Sequence, residues 1–553
     1  MTAEGIEQEK EHGQAHTDSE ETLSTSDREE GKELPFAESR EEQGQGREQA
    51  VTPSGLEGQP SDDRIVEFAP GDPANPFNYS RGRKWFLTSI VTCSILSITL
   101  TSSAYSSTSA QVMAEFGASP EVAALGVSLF VLGFAVGPAL WAPLSELYGR
   151  RILYIITHGV VVAFVAASAG CRSMASLLVF RFLAGTFGAS TMTNSGGVVA
   201  DLFPPSERGL AMTIFSGAPF LGPVLGPVIG GFVTMTVGWR WVHAVCCVFV
   251  AVAWIAGSLF LPETYGPVIL QRKARALTRE TGQKHVTILE AQTKGVSPAA
   301  VFSRTLKRPW ILLFLEPIVL ISSIYLAILY GIIYMFLGAF PFVYQNVRGW
   351  NEGIGGLAFV GLSVGMLIGL VYCLADNRRY RKLGKKATPE SRLPPAIVGA
   401  LALPVSMFAF AWTNGPDIHW SASIILSAPF GFGCVPVFLG VLNYIVDAYT
   451  MYAASAIAAG VILRSLFATA FPLFVRRMYV DLGIHWASSI PAFLTVVCTP
   501  FPFLAYKYGA AIRMKCKYAH EAAVSLTKMR AADPSSSSDE GDAGAARAES
   551  GRD

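Results

Sequence analysis

Charged side chains are rare inside the long apolar stretches of this sequence, and six of them stand where proton or ion-pair chemistry is feasible. Arg181, Glu316 and Arg464 fall within the stretches, and Glu146, Asp201 and Asp447 stand at their ends. A charge in a membrane interior usually faces the protein interior or a water-filled cavity. A carboxylate at such a place can exchange a proton, and an arginine can pair with it. These six positions are therefore the first candidates for function.

Two of these acids, together with Arg150, suggest a gate. A cation at Arg150 is placed to bridge Glu146 and Asp201, and protonation of either acid would weaken that bridge. Removing one partner of a poorly solvated pair leaves an uncompensated charge that costs about 3 to 5 kcal/mol. The alternative is that Arg150 and Arg151 only set the membrane topology, with both acids solvated. A matching set in the second half of the chain consists of Asp376, Arg378 and Asp447.

The charges inside the stretches suggest proton coupling or a cavity. Glu316 precedes Pro317 about two turns into the predicted seventh span, where its carboxyl is a possible proton site. The alternative is a neutral acid that is hydrogen-bonded to a neighbouring helix. Arg181 and Arg464 are predicted to face the cavity, although an arginine can instead cap carbonyls of a neighbouring helix or extend towards the membrane surface.

The elements that position these residues are apolar helices. Hydrophobic residues make up 51% of the 553 residues and charged residues only 15%, where a soluble chain carries about 25% charged residues. Continuous runs of about 20 residues span a membrane as helices, which excludes a β-barrel. The predicted spans lie near 85–107, 123–144, 152–171, 177–200, 210–234, 242–262, 310–337, 354–375, 394–413, 419–444, 452–475 and 487–509. The sequence therefore predicts an all-α membrane protein with twelve transmembrane helices in two pseudo-symmetric bundles of six.

Charge is divided unevenly along the chain. Residues 1–80 contain 20 acidic and 6 basic residues, whereas residues 81–529 contain 16 acidic and 34 basic residues. Basic residues collect in the loops on one side of the predicted spans, which predicts that both termini are cytoplasmic. The predicted organisation is a disordered acidic tail over 1–80, bundles over 81–262 and 310–515, a cytoplasmic linker over 263–309 and a tail over 516–553. Neither a metal site nor a cofactor is indicated, because the eight cysteines are scattered.

The predicted fifth span carries glycine every fourth residue, at Gly222, Gly226 and Gly230, interleaved with Pro223 and Pro227. Such spacing gives a smooth face against which another helix packs closely, and proline bends a helix. A bent and tightly packed helix can seal against proton leakage. The alternative is ordinary packing between membrane helices.

Polar and aromatic residues on three spans are candidates for a substrate cavity. A stripe of hydroxyls on the first span and aromatic or amide groups on spans seven and ten would suit bulky amphipathic or cationic compounds. The alternative is that they only pack. The candidates are Thr92, Thr99, Tyr325, Tyr330, Phe438 and Asn443.

Ordered motifs over residues 75–515 resemble the major facilitator superfamily, and within it the fungal twelve-helix drug:proton antiporters. The run from Pro143 to Arg151, with Gly137 before it and Gly149 within it, is similar to the loop that follows the family's second helix, so Gly137, Gly149 and Arg151 join the predicted gate. The run from Arg181 to Gly188 resembles the helix-four signature, and the run from Gly222 to Gly231 resembles the antiporter signature of helix five. The segments 262–265 and 443–449 also look typical of the fungal branch.

The resulting prediction is a secondary transporter that exports a drug, toxin or secondary metabolite by proton antiport and alternating access. The alternatives are a facilitator or proton symporter for a nutrient or organic acid, and a membrane-embedded enzyme or receptor. No lysine is followed by serine or threonine, so a phosphate-binding loop for ATP is absent from the sequence. The expected partners are a small organic substrate, protons and the lipid bilayer, without nucleic acid. The protein is expected to be a monomer in the plasma membrane, with the vacuolar membrane as the alternative.

Overall fold

The structure is a computed structural model that describes residues 64–292, 298–384 and 387–531. Its long helices are here called spans 1 to 12. The first six are Arg81–Ala104, Pro120–Tyr148, Arg150–Ala169, Met174–Leu202, Pro205–Val237 and Trp239–Phe260. Spans 7 to 10 are Pro317–Phe340, Phe359–Lys382, Pro394–Thr413 and Trp420–Tyr449. The described part of the chain thus confirms the prediction of an all-α membrane protein.

Spans 11 and 12 form one long helical run that contains a break. Within the described residues, eleven helical stretches are long and apolar enough to cross a membrane, and the last, Ala453–Lys515, has 63 residues. At 1.5 Å per residue it is far longer than one crossing of a ~30 Å hydrocarbon core. Gly483 interrupts it with φ 73° and ψ 167°, in a region of backbone space that favours glycine. Span 11 therefore covers residues 453–482 and span 12 covers 484–515, which gives the predicted total of twelve.

The helix pairings of the first six spans recur in the last six. Span 1 packs on span 5, span 2 on span 4, span 3 on span 4 and span 3 on span 6. The corresponding pairs 7 and 11, 8 and 10, 9 and 10, and 9 and 12 are packed in the same way. The two halves meet where span 2 packs on span 11 and span 5 on span 8. The internal repeat predicted from sequence is therefore visible in the packing.

Shorter helices connect and flank the spans. They are Ser109–Phe116, Gly266–Thr281, Ile288–Gln292, Pro298–Leu315, Glu352–Leu357 and Lys517–Ala531. The linker between the halves begins with the basic helix Gly266–Thr281. The end of the bundle that carries this linker is called the linker side. The predictions for residues 1–63 and 532–553 lie outside the described residues.

Two predictions about the linker side are wrong. Residues 64–80 are ordered: strand β1 (Arg64–Ile65) pairs in parallel with strand β2 (His285–Val286) of the linker. In the same region, Lys273 Nζ lies 2.8 Å from Asp72 Oδ2. Span 7 also begins later than predicted. A proline disfavours helical backbone in the residue before it, and Glu316, which precedes Pro317, has φ −110° and ψ 102°. The helix before span 7, Pro298–Leu315, consequently ends at Leu315.

Candidate functional site

Arg150 connects three spans at the linker side of the first half. Its Nη1 donates to Ser145 Oγ of span 2 at 2.7 Å, and its Nε lies 3.5 Å from Asp201 Oδ2 of span 4. Its guanidinium lies 4.9 Å from the ring centroid of Tyr265. A Cβ on Gly197 of span 4 would come within 2.6 Å of the guanidinium carbon. The absence of a side chain at Gly197 therefore leaves room for the guanidinium of Arg150.

The predicted bridge is only partly formed. Arg150 and Asp201 meet, but Glu146 is exposed and makes no ion pair with Arg150 in the described residues. All three residues belong to the first half, so their contacts do not tie the two halves together. Burial, with smaller contributions from the nearby Glu146 and Asp201 carboxylates, raises the pKa of Tyr265.

Glu263 is a buried acid whose role the charge pattern did not reveal. It is 8% exposed and accepts hydrogen bonds from the backbone N–H of Arg150 at 2.9 Å and of Arg151 at 3.4 Å. These donors open span 3, and an acid at a helix N-terminus satisfies free N–H groups and opposes the helix dipole. The side chain of Arg151 is exposed, so only its backbone contributes to this contact.

Gly149 is the residue that permits this cap. Its φ of 95° lies in the region that side chains avoid. A Cβ on Gly149 would also overlap the Glu263 carboxylate. Gly137, the other glycine assigned to the gate, lies elsewhere: a Cβ there would come within 2.6 Å of Thr186 O. Gly137 therefore permits close packing between spans 2 and 4 and does not reach the ion pair.

The second half repeats the ion pair with a different arginine from the one predicted. Arg392 Nε lies 2.8 Å from Asp447 Oδ2, and Tyr380 OH donates to the same oxygen at 3.1 Å. Asp376 pairs with Arg379 at 2.6 Å, while Arg378 is exposed and pairs with neither acid. The arginine that opens span 9 thus takes the role that Arg150 has at the start of span 3.

Glu316 lies at the linker end of span 7 and not two turns inside it. It is 1% exposed, and its oxygens accept from Tyr449 OH at 2.9 Å and from the backbone N–H of Tyr518 at 2.8 Å. These donors belong to span 10 and to helix Lys517–Ala531. The acid therefore joins three elements, which matches the alternative of an acid hydrogen-bonded to neighbouring helices.

Arg181 lies at the end of the bundle opposite the linker side and donates hydrogen bonds to three backbone carbonyls. It donates to Gly126 O, to Ser102 O at 2.7 Å and to Thr101 O at 3.5 Å. Its guanidinium lies 4.5 Å from the centroid of the Tyr105 ring. Since span 1 gives way to a 3₁₀ turn at Tyr105, its last carbonyls are available to the arginine. Arg181 thus caps carbonyls, the alternative considered from sequence.

Arg464 of span 11 is surrounded by aromatic rings. It is 8% exposed, and its guanidinium lies 5.3 Å from the Tyr330 centroid and 5.2 Å from the Phe438 centroid. Phe220 of span 5 lies 4.3 Å from Phe438 and 5.7 Å from Tyr330, centroid to centroid. Residues of both halves therefore meet around this arginine, which is here called the central site.

A hydrogen bond between the halves lies beside the central site. Ser102 Oγ of span 1 and Tyr334 OH of span 7 are 2.8 Å apart, and the Tyr334 ring is 5.1 Å from that of Tyr330. Because Arg181 binds the carbonyl of the same Ser102, the two buried arginines are connected through one serine and two tyrosines. Tyr334 and Phe220 are further candidates for function, and the sequence did not indicate that both lie beside Tyr330.

Four other residues predicted to line a cavity have different surroundings. Thr99 donates to Ala218 O of span 5 at 3.3 Å, so it faces span 5. Tyr325 packs on Phe501 of span 12, with ring centroids 6.1 Å apart. Thr92 and Asn443 are partly exposed, and the Thr92 hydroxyl donates to Thr88 O at 2.7 Å. Of the predicted set, only Tyr330 and Phe438 are gathered around Arg464.

The glycine face of span 5 packs on span 1. A Cβ would overlap Thr99 at Gly222 and Ser103 at Gly226, and at Gly230 it would come within 2.7 Å of Ala104 O. Hydroxyls of span 1 and of the 3₁₀ turn after it complete this contact, since Ser103 donates to Gly222 O at 3.4 Å and Ser107 donates to Pro227 O at 3.2 Å. The predicted close approach of a second helix is therefore present, and Pro223 and Pro227 lie within one continuous helix.

Sequence comparisons point to one group of proteins. A sequence model of the Major Facilitator Superfamily matches residues 90–472. The chain is 59% identical to the major facilitator-type transporter sorT of Penicillium rubens, over 86% of this chain and 92% of that protein. It is 54% identical to the MFS-type efflux pump MFS2 of Trichophyton rubrum, over 85% and 80% of the two chains. It is 51% identical to the multidrug transporter mdrA of Aspergillus fumigatus, over 84% and 77%.

A solved structure has the same fold. The proton:xylose symporter XylE bound to 6-bromo-6-deoxy-D-glucose matches with a TM-score of 0.57 and 18% identity, covering 78% of this chain and 96% of that chain. At this identity the likeness concerns the fold alone.

Proposed function

The chain belongs to the major facilitator superfamily, and on that premise we propose that it exports small organic compounds in exchange for protons by alternating access. Its fungal relatives include an efflux pump and a multidrug transporter that cover most of its length. Membership of a family of transporters excludes the alternatives of a membrane-embedded enzyme or receptor. The exchange for protons is the part of the proposal that needs its own argument.

The observation that carries the proposal is the repetition of one partly buried ion pair at the linker side of both halves. Arg150 and Asp201 have side chains 12% and 20% exposed, and Arg392 and Asp447 have side chains 19% and 27% exposed. Each pair joins the start of one span to the end of the next within its own half. Alternating access requires two bodies that move against one another, and these pairs hold the linker-side end of each body together.

Carboxylates near those ends are the proposed proton carriers. Asp201, Asp447 and Glu316 each lie at a span end on the linker side with hydrogen-bond donors around them. Protonation of either aspartate removes the charge that attracts its arginine, which weakens the pair. We infer that the proton gradient acts on the two halves through protonation of such a carboxylate. Glu316 is the first candidate for the proton carrier, because it is the most completely buried of the three acids.

The linker side is proposed to face the cytoplasm, since it carries the basic loops. The membrane is proposed to be the plasma membrane, where an exporter discharges its substrate directly from the cell, and the transporting unit to be a monomer with its site between its own two halves.

The test uses purified full-length protein in proteoliposomes without nucleotide. Rhodamine 6G, a planar organic dye, serves as the first transport probe, and 2-naphthoate as the second. We expect an imposed pH difference to drive movement of at least one probe, and collapse of the gradient by a protonophore to stop it. The matched control is Arg477→Gln, which breaks a surface pair with side chains 86% and 59% exposed and should leave transport unchanged. Transport that needs ATP and ignores the gradient would reject proton antiport.

A further inference from the structure

The guanidinium of Arg464 has no ion-pair or hydrogen-bond partner among the described residues. Its Nε is buried and unpaired, and its neighbours are the rings of Tyr330 and Phe438. A cation–π contact stabilises a cation through the face of an aromatic ring. It provides no acceptor for the N–H groups that point outwards in the plane of the guanidinium. The five donors of Arg464 are therefore available to a planar acceptor.

The centre of the membrane region contains cations but no acid to balance them. Each of the 16 acidic residues between positions 81 and 529 lies in a loop, in a connecting helix or towards the end of a span, and none occupies the central part of a span. Arg181 differs from Arg464, because carbonyls of Gly126, Thr101 and Ser102 accept its hydrogens. Since a buried charge without a partner is strongly disfavoured, Arg464 is the position at which an external anion gains most.

From this geometry we propose that the exported compound is a flat, conjugated organic acid, whose anionic oxygens are bound by Arg464 while its ring packs against the aromatic cluster of Phe220, Tyr330 and Phe438. The acidic group can be a carboxylate or an ionised enol or phenol, since each presents anionic oxygen to the planar fork of the guanidinium. The inference rests on the proposed export function and narrows its substrate class. It replaces the sequence-based expectation of a cationic compound.

The position of the site supports this assignment. Phe220 belongs to the first half, and Tyr330, Phe438 and Arg464 belong to the second. A ligand packed against these residues contacts both moving bodies, so its binding can depend on their relative position. The Tyr334 hydroxyl, bound to Ser102, lies next to the Tyr330 ring and provides a polar edge to an otherwise aromatic surface.

The experiment compares two probes with one ring system and different charge: 2-naphthoate, an anion, and 2-naphthamide, its neutral counterpart. Binding to the full-length protein in nanodiscs is measured by the ligand concentration dependence of its thermal unfolding. We expect the wild-type protein to bind 2-naphthoate at least 10-fold more tightly than 2-naphthamide. Arg464→Gln should reduce that ratio to about 2-fold or less and leave 2-naphthamide binding within 3-fold. Arg464→Lys should retain a preference between these values, because it keeps the charge but not the planar fork.

Arg477→Gln, on the same span but on the surface, is the matched control and should keep the wild-type ratio. Equal binding of both probes by the wild type, no binding of either, or an undiminished ratio in Arg464→Gln would overturn the proposal. The wild-type comparison decides it even where a variant fails to fold. A naphthoate preference without gradient-driven transport would reject proton antiport while leaving the acid site in place, so the two failures are distinguishable.

Discussion

Arg150 Nε lies 3.5 Å from Asp201 Oδ2, and both residues belong to the first half of the molecule. The pair therefore cannot hold the two halves together by itself. Its counterpart, Arg392 and Asp447 at 2.8 Å, stands at the same place in the second half. Each pair fixes the start of one helix against the end of the next. It therefore preserves the shape of the linker-side end of its half, which moves towards and away from the other half during alternating access.

We expect the two members of each pair to be energetically coupled. Arg150→Ala leaves Asp201 partly buried without its cation, while the double change Arg150→Ala with Asp201→Ala removes both charges. Partly buried pairs of this kind have coupling energies of about 0.5–3 kcal/mol. A double-mutant cycle on the thermal unfolding of the solubilised protein measures the coupling, and the cycle on Arg392 and Asp447 should give a value of the same sign.

The same variants should shift the equilibrium between inward-facing and outward-facing states while preserving most of the affinity of the central site, which is remote from the pair. Distances between spin labels on the two halves report that equilibrium. Additive energies in both cycles, with an unchanged distance distribution, would contradict a gating role.

Gly149→Ala should destabilise the protein. The backbone conformation alone, φ 95° with ψ 166°, costs about 1–3 kcal/mol for a residue with a side chain, and the added methyl group overlaps the Glu263 carboxylate that caps span 3. We expect a lower unfolding temperature and a smaller monodisperse fraction on size-exclusion chromatography. Gly82→Ala is the control, because a Cβ there meets no atom within 4 Å; a loss of stability equal to that of Gly149→Ala would show that the strain argument is wrong.

The number of spans and the internal repeat were predictable because apolar length and basic loops are local properties of the sequence. The start of span 7 was missed because apolarity continues through residues 310–337, whereas the break depends on Pro317 acting on the backbone of Glu316. A hydropathy pattern does not record this restriction on the backbone before proline. The Glu-Pro dipeptide in the sequence does indicate it.

The ion-pair partners were harder to predict because they depend on how loops fold back. Arg378 lies near the end of span 8 and Arg392 lies between spans 8 and 9, and the four-residue turn Pro389–Arg392 places the second of these arginines beside Asp447. Glu263 follows span 6 by three residues and reaches span 3 through tertiary packing alone. Its place in the motif 262–265 was the signal available in the sequence.

Replacing Gly226 with leucine should separate spans 1 and 5. A side chain there has to displace Ser103 and the backbone of Ala104, and overpacking of this kind typically costs about 1–3 kcal/mol. We expect an increased proton leak in proteoliposomes without substrate, followed with a pH-sensitive dye inside the vesicles. Gly196→Ala is the control, since its Cβ would make an ordinary contact at 3.6 Å with Phe215. Proton tightness equal to that of the wild type in a folded Gly226→Leu protein would exclude this helix as the seal.

The contact between the N-terminal segment and the linker should weaken in acid. Hydrogen bonds from Lys273 and from the backbone N–H of Ala74 lower the pKa of Asp72 from its usual 3.8. A lowered pKa in the docked state means that ionised Asp72 stabilises docking above pH 3.8 and that this contribution is lost as the pH falls. Distances between spin labels at Glu67 and Glu280 should therefore stay constant from about pH 8 to pH 5 and broaden in stronger acid. Asp72→Asn should show the broad distribution already at pH 7, and a narrow one there would refute the role of the carboxylate.

Glu316→Gln tests the proton carrier itself. Glutamine keeps the approximate size of the side chain but cannot exchange a proton, so gradient-driven export should fall at least 10-fold while exchange of substrate across the membrane survives. The structural role of Glu316 is controlled by Tyr449→Phe, which removes the donor at 2.9 Å and keeps the carboxyl group. If the acid only joins helices, both changes should lower the unfolding temperature, and export should follow stability in both. If it carries the proton, Tyr449→Phe should retain coupled export with a shifted pH dependence, whereas Glu316→Gln should lose it at every pH. Full pH-driven export by a folded Glu316→Gln protein would dismiss Glu316 and leave Asp201 and Asp447 as the remaining carriers.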